Sequence, residues 1–354
     1  MTNILRFVYR SILEELSYMS FFFKYAVFRK KPVVFLFGAP FHSNLGDQAQ
    51  TYCIIEWIKN YLSKYQVCIT TYTTFSIRRL RIIRKSFRKG DILLCHSGYH
   101  ITDLYKEKDV YEAVMRTFPN EEIRILPQTI FFKESANERS CAELFNSHGH
   151  VTLLCRDRLS FQKAAKIFTK CRLFLYPDIV TSLIGRFPSI QHSQRQGVLF
   201  CIRNDKEAFY SKKEIDNLRN NVTKYYETKL SDTTVNLTAE YIASNRYKVL
   251  QETLTDMAKY RVTVTDRYHG TIFSLIANTP VIVVNTTDHK LSSGVQWFPE
   301  SFCNHVFFAN TLEEVPSLIE HIMKSPHPDP LPAYFNSKYY GNNLVKTLNL
   351  DDYT

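Results

Sequence analysis

Two consecutive doubly wound α/β domains are what this sequence predicts, and three observations carry the expectation. Apolar runs of strand length alternate with helical stretches along nearly all of the 354 residues. The runs are continuous rather than alternating, as in Val33-Val-Phe-Leu-Phe37, which reads as parallel strands covered on both faces. The alternation is interrupted by the polar, unperiodic stretch Gly185 to Gln196 and then restarts. At about 150 residues per domain, the length also asks for two. The expected division is a helical segment 1–31, a first domain 32–190, a second domain 197–330 and a tail 331–354.

In the first domain, the strand from Val33 to Phe37 is bounded by Pro32 and Gly38. A loop follows, then a helix from Gln48 to Lys64 carrying Ile54, Ile55, Trp57, Ile58 and Leu62 at helical spacing. Next come a strand (Gln66 to Thr71), a basic helix (Ser76 to Lys89) and a strand (Asp91 to Cys95). Tyr105 to Thr117 reads as a helix, Arg124 to Pro127 as a strand, Ser140 to Ser147 as a helix and Val151 to Cys155 as a strand. Ser160 to Phe168 is expected to be helical and Leu173 to Tyr176 a short strand. The second domain begins with a strand, Gly197 to Ile202, and Ser211 to Leu230 reads as largely helical. Val235 to Leu237 is a weak strand, Asn245 to Ala258 a helix, Arg261 to Val264 a strand and Gly270 to Ile276 a helix. Pro280 to Val284 and Phe307-Phe308 are strands, and Leu312 to Met323 is a helix. The Pro-rich, then aromatic tail from Ser325 is placed to cross back onto the first domain.

Composition narrows the function classes. A hydrophobic fraction of 45% and a charged fraction of 22% exclude a disordered chain, a fibrous repeat and a disulfide-stapled miniprotein. Lys plus Arg is 45 and Asp plus Glu is 34, a net +11 that calls for anionic partners. The eight cysteines form no Cys-x-x-Cys pair and sit mostly in apolar runs, so they read as small buried hydrophobes in a reducing cytoplasm. No apolar run reaches the roughly 18–20 residues of a membrane-spanning helix, and no secretory signal is expected. Met1 to Phe28 reads as amphipathic helix with a basic end. It either packs on the domain or lies on the inner membrane face, with Phe21, Phe22 and Phe23 inserted. Seven basic residues between Arg78 and Lys89 form either a solvated helix face or a contact for anionic lipid or a pyrophosphate-linked acceptor. No nucleic-acid-binding motif accompanies them, and no nucleic acid is expected as a partner.

Ligands of open parallel sheets bind beyond the carboxyl ends of strands, so the residues there are the candidates. Asn44-Leu-Gly-Asp47 follows the first strand. Asp47 is a candidate helix N-cap, Gly46 permits an unusual backbone conformation, and Asn44 could bond a hydroxyl-rich or anionic ligand. The loop lacks the Gly patterns of a nicotinamide site or a P-loop. His96-Ser-Gly-Tyr-His100 reads as a loop, and with no carboxylate nearby no metal site is expected. Gln128, Thr129 and Arg156 are candidate ligand contacts, and Arg156–Asp157 could equally be a structural pair at a helix start. The strongest element is Val262-Thr-Val-Thr-Asp-Arg-Tyr-His-Gly270. Its strand delivers Asp266, Arg267 and His269 to the start of a helix, combining an anion site with a group that can move protons near neutral pH. Arg203 stands at a comparable place after the first strand of the second domain.

Five pieces taken together resemble the polysaccharide pyruvyl transferase family: Asn44-Leu-Gly-Asp47, Leu126-Pro-Gln-Thr129, Arg156-Asp157, Pro177-Asp178, and Asp266-Arg-Tyr-His-Gly270 running into Ala277-Asn-Thr-Pro280. They span residues 33 to 300 in the family's order. Where the family carries a Gly-rich turn, this chain has His96 to His100. The resemblance implies a GT-B-like fold, two Rossmann-like domains facing a cleft. It implies transfer of a pyruvyl group from phosphoenolpyruvate to two hydroxyls of a sugar, as a ketal, with neither metal nor cofactor. It also implies a role in a bacterial capsule or exopolysaccharide, with an acceptor that is a lipid-linked oligosaccharide. A cytoplasmic site at the inner face of the plasma membrane is expected.

On that basis Arg203 and Arg267 would clamp the donor's phosphate and carboxylate, with Tyr268 and Gly270 beside them. His269 and Arg267 would be the catalytic residues, His269 for proton transfer or for stabilising the departing phosphate. The acceptor side would comprise Asn44, Asp47, His96, Gln128, Thr129 and Arg156. Two other readings remain open: a GT-B glycosyltransferase using a nucleotide sugar, and a non-catalytic scaffold of a polysaccharide assembly complex.

Overall fold

The computed structural model describes residues 13–187, 194–204, 208–285 and 294–353. The first twelve residues of the expected N-terminal helix and positions 188–193 of the expected linker lie outside them.

Among the described residues, the first sheet has seven strands, all parallel. They are β1 (Val33–Ala39), β2 (Gln66–Thr71), β3 (Ile92–Cys95), β4 (Gly98–Thr102), β5 (Ile123–Phe131), β6 (Val151–Cys155) and β7 (Arg172–Leu175). The order is β2-β1-β3-β5-β6-β7, with β4 beside the far end of β5. Every residue of β1 is buried, because helices cover both faces. On one face lie α3 (Ile77–Ser86), α4 (Lys108–Thr117) and α5 (Ser135–His148), closing a core that holds Phe35, Phe37, Val114 and Phe145. On the other lie α2 (Leu45–Tyr61) and a 3-10 turn, Ile179–Leu183.

The second sheet is β12 (Val306–Ala309), β11 (Val281–Val284), β10 (Val262–Thr265), β8 (Val198–Cys201) and β9 (Thr228–Ser231) in spatial order, again parallel. Its outer core takes Ile215, Leu218 and Val222 from the helix Lys212–Thr223, with Ile319 and Ile322 from Val315–Lys324. Its inner face carries α9 (Arg246–Met257) and α10 (Tyr268–Ile276). The two inner faces share one apolar cluster: Val34, Leu36, Ile54 and Ile58 of the first domain are continuous with Leu254, Ile272 and Phe273 of the second. This shared core presses the domains together along α2, α9 and α10.

The tail closes the arrangement. Tyr340, Leu344, Leu348 and Leu350 are buried in the same cluster. The Trp57 indole N–H donates to the Tyr340 carbonyl at 3.0 Å, and Arg124 Nε donates to the Leu348 carbonyl at 2.6 Å. Buried backbone carbonyls need such donors, so the tail docks on the first domain.

Several elements depart from expectation, each for a local reason. Helix α2 begins three residues early because Asn44, not Asp47, is its cap: Asn44 Oδ1 accepts from the Gly46 N–H at 2.9 Å. The segment 98–102, expected as loop, adds β4 to the sheet. The expected helix from Ser211 ends at Thr223, and Thr228–Ser231 is edge strand β9, whose half-exposed side chains leave no apolar run to reveal it. Val235–Leu237 is not a strand. Thr234 instead bridges Asn44, with Val235 N–H donating to Ser43 O and Leu45 N–H to Thr233 O, so the second domain clasps the loop before α2.

Candidate functional site at the domain seam

Helix α10 starts at Tyr268, two residues before the expected Gly270, with Arg267 in the cap position. Its first turn therefore carries Tyr268 and His269 out of the end of β10 and into the seam. A methyl group on Gly46 would lie 2.0 Å from His269 Nδ1, so the imidazole packs on the bare backbone of α2. Gly46 has no positive φ, contrary to the unusual conformation expected there; what it provides is this close approach. Gly270 is a packing position too: a methyl there would lie 2.4 Å from Thr265 Oγ1, which holds α10 tight against β10.

Across the seam from His269 is Asp178, a wholly buried carboxylate at the start of the 3-10 turn after β7. Four groups converge on it. Gln50 Nε2 donates at 2.6 Å, Arg156 Nη1 at 3.1 Å and the Val180 N–H at 2.9 Å, while His269 Nε2 stands 3.5 Å away. Burial alone would raise the Asp178 pKa. The facing His269 imidazole, the Arg156 guanidinium and the Val180 N–H outweigh it and hold the carboxyl well below the usual carboxylate range. Arg156 also donates to Thr129 Oγ1 from Nε and Nη2 at 3.1 and 2.7 Å, and its guanidinium lies 5.5 Å from the centroid of the Tyr268 ring. Arg156 pairs with Asp178 rather than with Asp157, the structural pairing that was one of two alternatives for it. Asp157 instead caps the helix Arg158–Ile167 through the Ser160 N–H at 2.8 Å. Among the described residues the buried Tyr268 hydroxyl has no hydrogen-bond partner, and burial raises its pKa.

The remaining first-domain candidates divide into two groups. Asn44 and Asp47 are partly exposed at the mouth, Asp47 Oδ2 standing 3.6 Å from His42 Nε2. His96 and Gln128 are wholly buried behind them. The His96 Nδ1–H donates to the Ser97 carbonyl at 2.6 Å, which makes Nε2 the acceptor for the Thr51 hydroxyl at 2.8 Å. Burial pushes its pKa down to about 4. Gln128 donates to His96 O at 2.6 Å and accepts the His100 N–H at 3.0 Å. These two side chains lock the β3–β4 corner under the site. His96 and His100 do not converge on a common point: their ring centroids are 6.0 Å apart, and His100 Nδ1 bonds Tyr111 at 2.6 Å. Among the described residues, no group of three or more His, Cys, Asp or Glu side chains could hold a metal ion.

On the second-domain side, Arg267 makes a two-pronged ion pair with Asp232, Nε to Oδ1 at 2.8 Å and Nη2 to Oδ2 at 2.7 Å. Asp266 Oδ1 accepts the Arg203 N–H at 2.8 Å, fixing the backbone where β8 ends. Arg246 of α9 reaches over to α2, where Nε donates to Gln48 Oε1 at 2.9 Å.

Asp178, Gln50 and Asp232 were absent from the expected site. Asp178 carried a usable signal, a strand followed by Pro-Asp at an element start. Gln50 and Asp232 carried none, since each reaches the site through a helix turn or loop that only the fold orients. His269, Arg267, Tyr268, Arg156 and Thr129 are brought into one connected neighbourhood.

The chain is 26% identical over 308 residues to general stress protein 30 of Bacillus subtilis (strain 168), covering 85% of this chain and 88% of that one. It is 29% identical over 278 residues to pyruvyl transferase 1 of Schizosaccharomyces pombe, covering 72% and 66%. Its fold is similar to that of the UDP-GlcNAc 2-epimerase of Methanocaldococcus jannaschii, with a TM-score of 0.54 at 10% identity over 90% of this chain and 99% of that one. Together with the two parallel sheets, that likeness makes the architecture GT-B-like. Residues 44–289, the span holding the seam and every group converging on Asp178, match the family model for polysaccharide pyruvyl transferase, and the chain belongs to that family.

Proposed function

We propose that the chain moves the pyruvyl group of phosphoenolpyruvate onto two hydroxyls of one sugar in a bacterial surface polysaccharide or its lipid-linked precursor. The observation carrying this reading is His269 at the seam, with Gly46 of one domain against its ring and Asp178 3.5 Å from Nε2. A titratable imidazole set between two domains can meet a donor held by one and an acceptor held by the other.

The chemistry needs two proton movements. One sugar hydroxyl gives its proton toward the methylene carbon of the donor as its oxygen bonds to the central carbon. The second hydroxyl bonds to that carbon as the C–O bond to phosphate breaks, and its proton leaves with the phosphate. The products are a pyruvate ketal of the sugar, its methylene now a methyl group, and inorganic phosphate. The His269 imidazole relays a proton in these steps, and Asp178, 3.5 Å from Nε2, is a positioning residue that orients the ring. Arg203 and Arg267 offset the donor's phosphate and carboxylate, with Tyr268, Gly270 and the start of α10 beside them. The Arg267–Asp232 pair orients that guanidinium before the donor arrives. Asn44 and Asp47 at the mouth bond the sugar, while His96, Gln128, Thr129 and Arg156 support them from behind. The lipid-linked acceptor would bring the chain to the inner face of the plasma membrane.

Phosphate release from phosphoenolpyruvate, dependent on a glycan acceptor, is the test. His269→Ala and Arg267→Ala are expected to abolish it, and phosphoenolpyruvate is expected to raise the melting temperature. A rise with UDP- or GDP-sugars instead, or near wild-type turnover in both variants, overturns the reading.

A further inference from the structure

Helix α1 (residues 13–22) and the π turn Phe23–Val27 that continues it have two apolar faces, which a helix packed on a water-soluble domain does not need. One face is accounted for. Tyr25 is buried against β1 and α3, Phe21 packs on the same core, and Tyr18 bonds Ser76 at 3.2 Å. The expected insertion of Phe21 is thus corrected: it turns inward, with Arg79 over its ring. The opposite face is open to solvent. Leu13, Leu16, Met19, Phe23 and Val27 follow one another at spacings of three, three, four and four, and each is 40–54% exposed. Phe28 is 70% exposed and stacks on Phe23. Over the 14 steps from Leu13 to Val27 such a stripe is about 21 Å long.

The charges of the neighbouring helix α3 and of residues 29–31 after the stripe are all basic. Part of the basic charge of α3 and of the residues just after it is spent on holding α1 and the π turn. Arg78 makes a two-pronged pair with Glu15 and lies over Tyr18, Arg79 bonds Ser17, and Arg88 bonds Ala26 O. Arg84 pairs with Glu121 at 3.6 Å. Lys30, Lys31, Arg81, Lys85 and Lys89 are exposed and make no ion pair among the described residues. Glu15 is neutralised by Arg78, which leaves Glu14 as the acid of α1 without an ion pair among the described residues.

We infer that this face, with Leu16, Phe23, Val27 and Phe28 as its apolar centre and Lys30, Lys31, Arg81, Lys85 and Lys89 at its margin, docks the chain on an anionic lipid surface. The inference rests on the inner-membrane contact proposed above and names its surface. An exposed apolar stripe of helical spacing rimmed by cations matches the acyl boundary and headgroups of a bilayer. A second copy of the chain does not match, since it would bring one basic rim against another. Docking is peripheral: no helix among the described residues is long and apolar enough to cross a membrane.

The test is flotation of the full chain with vesicles of phosphatidylcholine alone or mixed with phosphatidylglycerol, at low and high salt. Binding is expected only with phosphatidylglycerol and is expected to weaken with salt. Lys85→Ala and Lys89→Ala are each expected to lower partitioning roughly fivefold. Leu16→Glu with Phe23→Glu is expected to abolish it while leaving the melting temperature and the phosphate release measured with a soluble acceptor unchanged, because both side chains face solvent. No binding to anionic vesicles at low salt overturns the inference, as does binding insensitive to Leu16→Glu with Phe23→Glu. Concentration-dependent dimers that dissociate in that variant, without vesicle binding, assign the stripe to a second copy and also overturn it. Phosphate release is read separately, so a chain that floats yet releases none refutes pyruvyl transfer and leaves the docking surface standing.

Discussion

His269 Nε2 and Asp178 Oδ2 stand 3.5 Å apart, and the two residues follow strands of different sheets, β10 and β7. The relationship makes the site a property of the closed pair of domains. Asp178→Asn keeps the volume and an acceptor for the Val180 N–H, but it leaves buried Arg156 without its counter-charge. Removing one member of a buried pair costs about 3–5 kcal/mol, so the urea midpoint should fall clearly. Turnover should drop about 100-fold as His269 loses its orienting partner. Asp178→Leu combined with Arg156→Leu should regain part of the stability and none of the turnover. Turnover within about threefold of wild type in Asp178→Asn would remove the positioning role.

Gly46→Ala separates local propensity from the site. In an exposed helix the change would stabilise by about 1 kcal/mol. Here the new methyl would sit 2.0 Å from His269 Nδ1, so the ring or the domain must move. A displacement of about 1 Å can cost 100-fold in rate, and a loss of that size is expected with the circular dichroism spectrum unchanged. Wild-type turnover would mean that His269 does not need this seat.

Acid should weaken the fold in a window set by buried histidine. An unfolded histidine binds its proton near 6.5, whereas His96 in the fold binds it only near 4. Between these values the unfolded chain holds more protons, so unfolding free energy falls as pH drops from about 6.5 to 4, by about 1.4 kcal/mol per unit of depressed pKa. His100, lowered by burial to about 3, extends the window downward. Asp178 acts in the same direction at lower pH: its stabilisation is present above the unfolded carboxylate pKa and is lost as pH falls toward its depressed value in the fold. Melting temperatures across this range should decline, and His96→Gln should make the decline shallower. An unchanged slope would show that His96 titrates normally in the fold.

The tail is predicted to be structural. Tyr340 is 1% exposed, its carbonyl takes the Trp57 indole proton and its hydroxyl bonds the Pro177 carbonyl. Tyr340→Ala should cost about 3–5 kcal/mol, as large aromatic truncations in cores do. Limited proteolysis should then cut after Ser325 before it cuts either sheet. A change below 1 kcal/mol would mean that the tail does not hold the first domain.

Most of the architecture was readable from local pattern. Continuous apolar runs such as Val33–Phe37 and Val151–Cys155 mark strands covered on both faces, and they recur at the same places in the structure. Strands β4 and β9 escaped because edge positions need no continuous apolar run. The site was readable as far as strand ends point to it: Arg267, His269 and Arg156 all follow strands.

What the sequence determined by itself was therefore the two parallel α/β units, the excess of basic charge and the residue types offered at the ends of β10 and β6. The tertiary structure decided which of those residues meet. Gly46 reads as a backbone residue until His269 is seen against it, and Asp178 reads as a cap until Gln50, Arg156 and His269 converge on it. The two aspects differ because strand and helix pattern is written over a few neighbouring residues. Contacts between residues 91 positions apart, as for Asp178 and His269, follow only from how two finished sheets share one core.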